Sequence, residues 1–90
     1  MEDAGTTGSE RAAFDRMLVQ LRPRLHRYCA RMIGSAIDGE DLVQEVVVRA
    51  IDAFARAVPI AHVDGWLFRI AHNTALNLIA RRARERSIFL

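Results

Sequence analysis

The sequence predicts an all-α protein, a small bundle of three main helices. Apolar residues recur at steps of three and four along most of the chain, which is the spacing of a helix face. The apolar share of 51% comes mostly from Ala, Leu, Ile and Val, and aromatic residues make up 7%. That composition favours helices over a sheet. The 90 residues suffice for one small domain.

The first predicted helix follows a short polar arm. Residues 1–8 are small and polar without periodicity, so we expect a disordered arm there and one domain over 9–90. Ser9 is the predicted N-cap, Pro23 predicts a kink or a break, and Gly34 predicts the C-terminal cap. The apolar stripe between them consists of Phe14, Met17, Leu18, Leu21, Leu25, Tyr28, Cys29, Met32 and Ile33.

The second predicted helix runs from Asp38 to Ala57. Asp41 stands three residues after Asp38, as in a capping box, and acidic residues in a first turn complement the helix dipole. Its buried face is predicted to contain Leu42, Val43, Val46, Val47, Ala50, Ile51 and Phe54.

The third predicted helix follows a loop at residues 58–63. Asp64 is its predicted cap, and the helix is expected to begin around Gly65 and Trp66. Its inner stripe is predicted to contain Leu67, Ile70, Ala71, Thr74 and Leu78.

Charge and cysteine content indicate what kinds of partner and which compartment to expect for the protein. The net charge of +2 combines an acidic middle segment with a C-terminal segment rich in Arg, which favours two partners or two surfaces. The single cysteine, Cys29, cannot form an internal disulfide, and no apolar run reaches the length of a membrane span. We therefore expect a cytoplasmic protein without cofactor. His26 and Cys29 lie one turn apart, but no second pair completes a metal site.

One candidate surface lies opposite the buried face of the second helix. At 100° per residue its members are acidic or amide side chains around one valine. Val48 is either a stray surface residue or the apolar centre of a docking face with a charged rim, and both interpretations stay open. We call this set the acidic face: Asp41, Gln44, Glu45, Val48 and Asp52.

A second candidate surface lies along the third helix. An aromatic, two amides and several guanidinium groups on one stripe suit single-stranded nucleic acid, because they can stack a base, read its edge and pair with phosphates. Trp66 is the member for which a core position is the competing interpretation. We call this set the amide face: Trp66, Arg69, Asn73, Asn77, Arg81 and Arg84.

Two segments in order resemble region 2 of the extracytoplasmic-function (ECF) sigma factors. Residues 38–45 read DGEDLVQE and are followed by Arg49 and Ala50, and residues 66–73 read WLFRIAHN. An arginine pair, Arg81 and Arg82, follows as in the family. The similarity covers residues 12–86. The family's second helical domain, region 4, which reads the minus-thirty-five element, is absent from this sequence.

The resemblance implies a function in transcription initiation. The acidic face would dock on the coiled-coil clamp of the RNA polymerase beta-prime subunit. The third helix would capture the non-template strand of the minus-ten promoter element and flip one base into a pocket. Asn73 would line that pocket, Phe54 would help to close it, and Arg69, Arg81, Arg82 and Arg84 would hold phosphates. An anti-sigma factor is a further expected partner.

Two other classes compete with this interpretation. A sigma-mimic domain would bind an anti-sigma factor without touching DNA, and it would not need the asparagines and arginines of the third helix. A purely structural bundle would not bind DNA. An enzyme is not expected, because the sequence has no glycine-rich phosphate loop and no nucleophile paired with a base.

Overall fold

The protein is a bundle of three helices over residues 8–89, seen in a computed structural model that describes that range. Helix α1 spans Gly8–Ile33, α2 spans Ala36–Ala55 and α3 spans Val63–Phe89. The described residues form no strand. The predicted all-α class is therefore confirmed, whereas the predicted arm lies mostly outside the described residues.

Helix α1 runs without a break through Pro23, so the predicted break is wrong. Proline has no N–H to donate to the carbonyl four residues earlier, yet buried leucines on both sides hold the two halves on one core. Ser9 lies inside the helix, after Gly8, and not at its N-cap.

The α1–α2 connection consists of only two residues. Gly34 has a φ of 82° and donates its N–H to the Ala30 carbonyl at 2.7 Å, as predicted for a C-terminal cap. Ser35 is the N-cap of α2, and its hydroxyl accepts the Asp38 N–H at 3.2 Å. The predicted start at Asp38 with Asp41 as its partner is wrong, because Ser35 supplies the cap.

The α2–α3 connection begins with an unusual cap. The Ala57 N–H bonds to the Phe54 carbonyl at 3.0 Å and the Val58 N–H to the Ala53 carbonyl at 3.1 Å, which is the Schellman pattern. Ala57 therefore takes the left-handed position, with a φ of 57°. The helix ends at Ala55, two residues before the predicted end.

Helix α3 begins at Val63, earlier than predicted. The Trp66 N–H donates to the His62 carbonyl at 3.0 Å, which places His62 at the cap position. Asp64 lies in the first turn, where its carboxylate accepts the Gly65 N–H at 2.9 Å. Asp64 thus satisfies a free N–H of the helix start, but from inside the helix.

The core lies along the centre of the bundle and matches the predicted apolar stripes except at Met17, which is exposed. Every helix contributes to it, and Thr74 is a polar residue within it, with its hydroxyl bonded to the Ile70 carbonyl at 2.7 Å. Cys29 is fully buried there. The apolar members are Phe14, Leu18, Leu21, Leu25, Cys29, Leu42, Val43, Val46, Ala50, Leu67, Ala71 and Ala75.

Helices α1 and α2 pack antiparallel, and α3 returns parallel to α1. Phe14 stacks on Phe54 at one end, and Gly39 meets Ala30 at the other. The contacts Arg24–Phe68 and Tyr28–His72 join α1 to α3 in register. None of the helices in residues 8–89 has the length and apolar character that crossing a membrane requires.

We expect Gly39→Ala to destabilise the fold by about 1–3 kcal/mol, because overpacking at a backbone contact leaves little room for adjustment. A Cβ at this position would lie 2.7 Å from both the Cα and the N of Ala30. Gly65→Ala is the matched control, since a Cβ there meets nothing within 4 Å. Thermal and urea unfolding measure both. Equal stability of the two variants would contradict the close approach.

We expect Ala57→Gly to stabilise the protein by about 1 kcal/mol, because glycine takes a positive φ without steric cost. Ala55→Gly is the control, since Ala55 lies in the last turn of α2 and glycine lowers helix stability. Urea unfolding should therefore move the two midpoints in opposite directions. A lowered midpoint for Ala57→Gly would refute the strained cap.

Candidate functional site

The acidic face is exposed along the whole of its length on α2. Val48 is 65% exposed, and its neighbours on this face are charged or amide side chains that also face solvent. Two of its carboxylates pair with arginines one turn later, Glu45 with Arg49 at 2.8 Å and Asp52 with Arg56 at 2.9 Å. These pairs are solvent-exposed, so they add little to stability and can be exchanged for a partner's charges.

The amide face is also exposed, except for its aromatic member. Trp66 is half-buried and packs against the core, which favours the core interpretation for much of its ring. Asn73 and Asn77 face solvent, and within residues 8–88 neither amide has a protein hydrogen-bond partner. An amide without a partner in mid-helix adds nothing to the fold, so it is free to bind a ligand. The arginines Arg69, Arg81 and Arg84 are exposed as well.

The two faces meet in a groove of about 390 Å³ between α2 and α3. Asp41 and Glu45 of the acidic face line one wall, and Asn77 and Arg81 of the amide face line the other. We call it the mixed groove. Its remaining lining residues are Asp38, Leu42, Arg49, Thr74, Leu78 and Arg82.

An ion pair crosses the mixed groove. Arg82 on α3 approaches Asp38 on α2 at 3.2 Å, and both side chains are partly exposed. The sequence predicts two separate faces, because helical periodicity does not show which side of α3 packs towards α2. The ion pair between Arg82 and Asp38 joins the two helices. A phosphate that binds Arg82 must therefore compete with the Asp38 carboxylate.

The Phe54 ring is packed against another aromatic ring and is not free to contact DNA on both of its faces. This half-buried ring stacks on Phe14, with centroids 4.3 Å apart and planes at 16°. Stacking occupies one face of the ring and ties it to α1. Its predicted contact with a flipped base stays a prediction, and its observed contact is with the core.

The polar residues at the α1–α2 end have structural partners. The Arg22 guanidinium bonds to the Glu40 carboxylate, and this bond holds the pKa of Glu40 below its usual value. His26 Nε2 lies 3.0 Å from the Ala36 carbonyl oxygen. Burial raises the pKa of the Cys29 thiol. Across the described chain, no three His, Cys, Asp or Glu side chains gather to hold a metal ion.

On the opposite side of α3, side chains of α1 and α3 make contacts that the sequence did not predict. The Tyr28 hydroxyl and His72 Nδ1 are 2.7 Å apart, and the Tyr28 ring meets Phe68 edge-on at 5.6 Å. Arg24 lies over the Phe68 ring, 5.3 Å from its centroid. One feature of the sequence indicates a surface here: the spacing of Arg24, Arg27 and Arg31 puts three arginines on one side of α1.

Comparison with known proteins agrees with the resemblance described above. The model of the sigma-70 region 2 family matches residues 17–85. The ECF RNA polymerase sigma factor SigG of Mycobacterium tuberculosis is 42% identical over 64 residues, which cover 71% of this chain and 17% of SigG. The ECF RNA polymerase sigma factor SigE of Mycolicibacterium smegmatis is 34% identical over 82 residues, which cover 89% of this chain and 32% of SigE.

A more distant relative extends the same family. The RNA polymerase sigma-H factor of Pseudomonas aeruginosa is 28% identical over 76 residues, which cover 84% of this chain and 39% of that protein. The chain thus spans between 17% and 39% of the length of these three relatives. No solved structure matches the chain. Because the family model covers most of its length, the chain belongs to the sigma-70 region 2 family, as a region 2 domain of the ECF type.

Proposed function

We propose that this domain acts in transcription initiation by docking on core RNA polymerase through the acidic face and binding the minus-ten non-template strand through the amide face. The observation that carries the proposal is the mixed groove, where the two faces adjoin along one side of the bundle. A partner protein on α2 and a DNA strand on α3 could then be held next to each other. The proposed partners are core RNA polymerase, promoter DNA and an anti-sigma factor.

Docking on the polymerase would use the acidic face as an apolar centre within a charged rim. Val48 supplies the apolar centre, and Asp41 and Glu45 lie beside it without burial. A basic partner surface would replace the weak pairs with Arg49 and Arg56 and would bury the valine.

Binding of the DNA strand would use the free amides and arginines of α3. Asn73 and Asn77 can donate and accept at a base edge, and Arg69, Arg81 and Arg84 can pair with phosphates. The half-buried Trp66 keeps part of its ring at the surface for stacking. The partnerless asparagines favour this function over a sigma mimic, which would bind an anti-sigma factor without reading bases.

We expect Val48→Asp to weaken binding to core RNA polymerase at least tenfold, about 1.4 kcal/mol, because it puts a charge at the apolar centre. Ile88→Asp is the matched control: Ile88 is 76% exposed but lies near the end of α3, away from the acidic face. Fluorescence anisotropy of labelled chain with core enzyme measures both. Failure of the wild-type chain to bind core enzyme would overturn the docking proposal and favour the sigma mimic.

We expect Asn73→Ala to reduce base discrimination about tenfold at one position of the bound strand, because a bidentate amide contact contributes about 1–3 kcal/mol to discrimination. The measurement is selection of preferred strands from a random single-stranded pool by the complex with core polymerase. Gln20→Ala removes an exposed amide from α1 and serves as the control. Unchanged preferences in Asn73→Ala would remove Asn73 from the base-reading site.

A further inference from the structure

A second groove lies between α1 and α3, on the flank of α3 opposite the mixed groove. Its lining consists only of cationic and aromatic side chains: Arg24, Arg27, Tyr28, Arg31 and Phe68. We call it the cationic groove. No carboxylate lines it, in contrast to the three acidic residues of the mixed groove.

The arginines of the cationic groove have no acidic partner within the described part of the chain. Arg24, Arg27 and Arg31 are all exposed, and none lies within ion-pair distance of a carboxylate in residues 8–88. Their neighbour Arg22 points instead towards α2, where it pairs with Glu40. Because the helix rises 1.5 Å per residue, the three arginines extend over about 10 Å along α1. Three unpaired guanidinium groups in one row attract an anion with several charges.

The aromatic side of this groove is held in place by contacts between the two helices. The Tyr28 hydroxyl bonds to His72 Nδ1 at 2.7 Å, and Tyr28 meets Phe68 edge-on. Arg24 covers Phe68 at 5.3 Å, which fixes the guanidinium at the wall of the groove. The aromatic wall and Arg24 are therefore held in place, and the exposed side chains of Arg27 and Arg31 extend beside them.

The position of the cationic groove relates it to the amide face. On the helical wheel of α3, Arg69 lies between Phe68, which lines the groove, and Asn73. Arg69 is exposed. Arg69 thus places one positive charge between the amide face and the cationic groove.

We propose that the cationic groove binds the sugar–phosphate backbone of the same DNA strand, next to the nucleotides that the amide face reads. This inference rests on the proposed function for the identity of the strand. Phosphates are the ligands that suit a row of exposed arginines with no competing carboxylate. The contact is independent of sequence, because the groove offers no amide for a base edge.

The test compares two charge-matched double variants of α1 in the full chain. Arg27→Gln with Arg31→Gln removes two charges from the groove, and Arg11→Gln with Arg16→Gln removes two charges elsewhere on the same helix. Binding to a short fluorescein-labelled oligodeoxythymidylate is measured between about 50 and about 200 mM salt. A homopolymer probes backbone binding without base reading.

We expect the groove variant to bind about tenfold more weakly at low salt and the control to stay within about twofold of wild type. The slope of log K against log salt should fall by about 1.4 in the groove variant, from about 0.7 for each phosphate contact on a single strand. Thermal unfolding should change little in both variants. Arg27 and Arg31 make no hydrogen bond or ion pair among the described residues, and the Arg11–Asp15 pair that the control loses is solvent-exposed and adds little to stability.

Three results would overturn the inference. The first is an equal loss of oligodeoxythymidylate binding in the two variants. The second is no binding of this oligonucleotide by the wild-type chain at low salt. The third is that polyglutamate displaces the labelled oligonucleotide more strongly than unlabelled DNA does. The last would indicate an acidic protein segment as the occupant. The result for Asn73→Ala is independent of this one: loss of binding in the groove variant with unchanged base preference in Asn73→Ala would support the groove and reject the base-reading site.

Discussion

The close approach of α1 and α2 at Gly39 is the contact on which the rest of the bundle depends. The absence of a side chain lets the first turn of α2 lie against Ala30, shortly after the two-residue connection. This contact and the buried side chains of Leu42, Val43 and Val46 agree on one rotation of α2 about its axis. Val43 and Val46 then face the core while Asp41 and Val48 face solvent. Helix α3 closes the bundle over the same core, which creates one groove on each of its flanks.

The two grooves differ in charge because α1 and α2 differ in what they present to α3. Helix α2 contributes carboxylates, so the mixed groove pairs Asp38 with Arg82 and is largely neutralised from within. Helix α1 contributes arginines without acidic partners among the described residues, so the cationic groove keeps its charge. The +2 net charge of the whole chain therefore hides an uneven surface.

Periodicity sufficed to predict the helical class, the three helices and most members of the core. Helix starts were less accurate. Ser35 and Asp38 are both preferred N-cap types, so residue type did not decide between them, and His62 is not a preferred N-cap residue. The acidic and amide faces could be predicted because each lies on one helix. Their meeting in the mixed groove and the contact of Tyr28 with His72 could not, since they depend on how separate helices are oriented.

The buried thiol of Cys29 can be used to measure how often the helices of the bundle separate. The side chain is fully enclosed, and burial raises the pKa of its thiol, so little of the reactive thiolate forms in the folded state. It is also the only cysteine of the sequence. An alkylating reagent therefore reacts when the helices separate, and the rate of labelling measures how often the intact bundle opens.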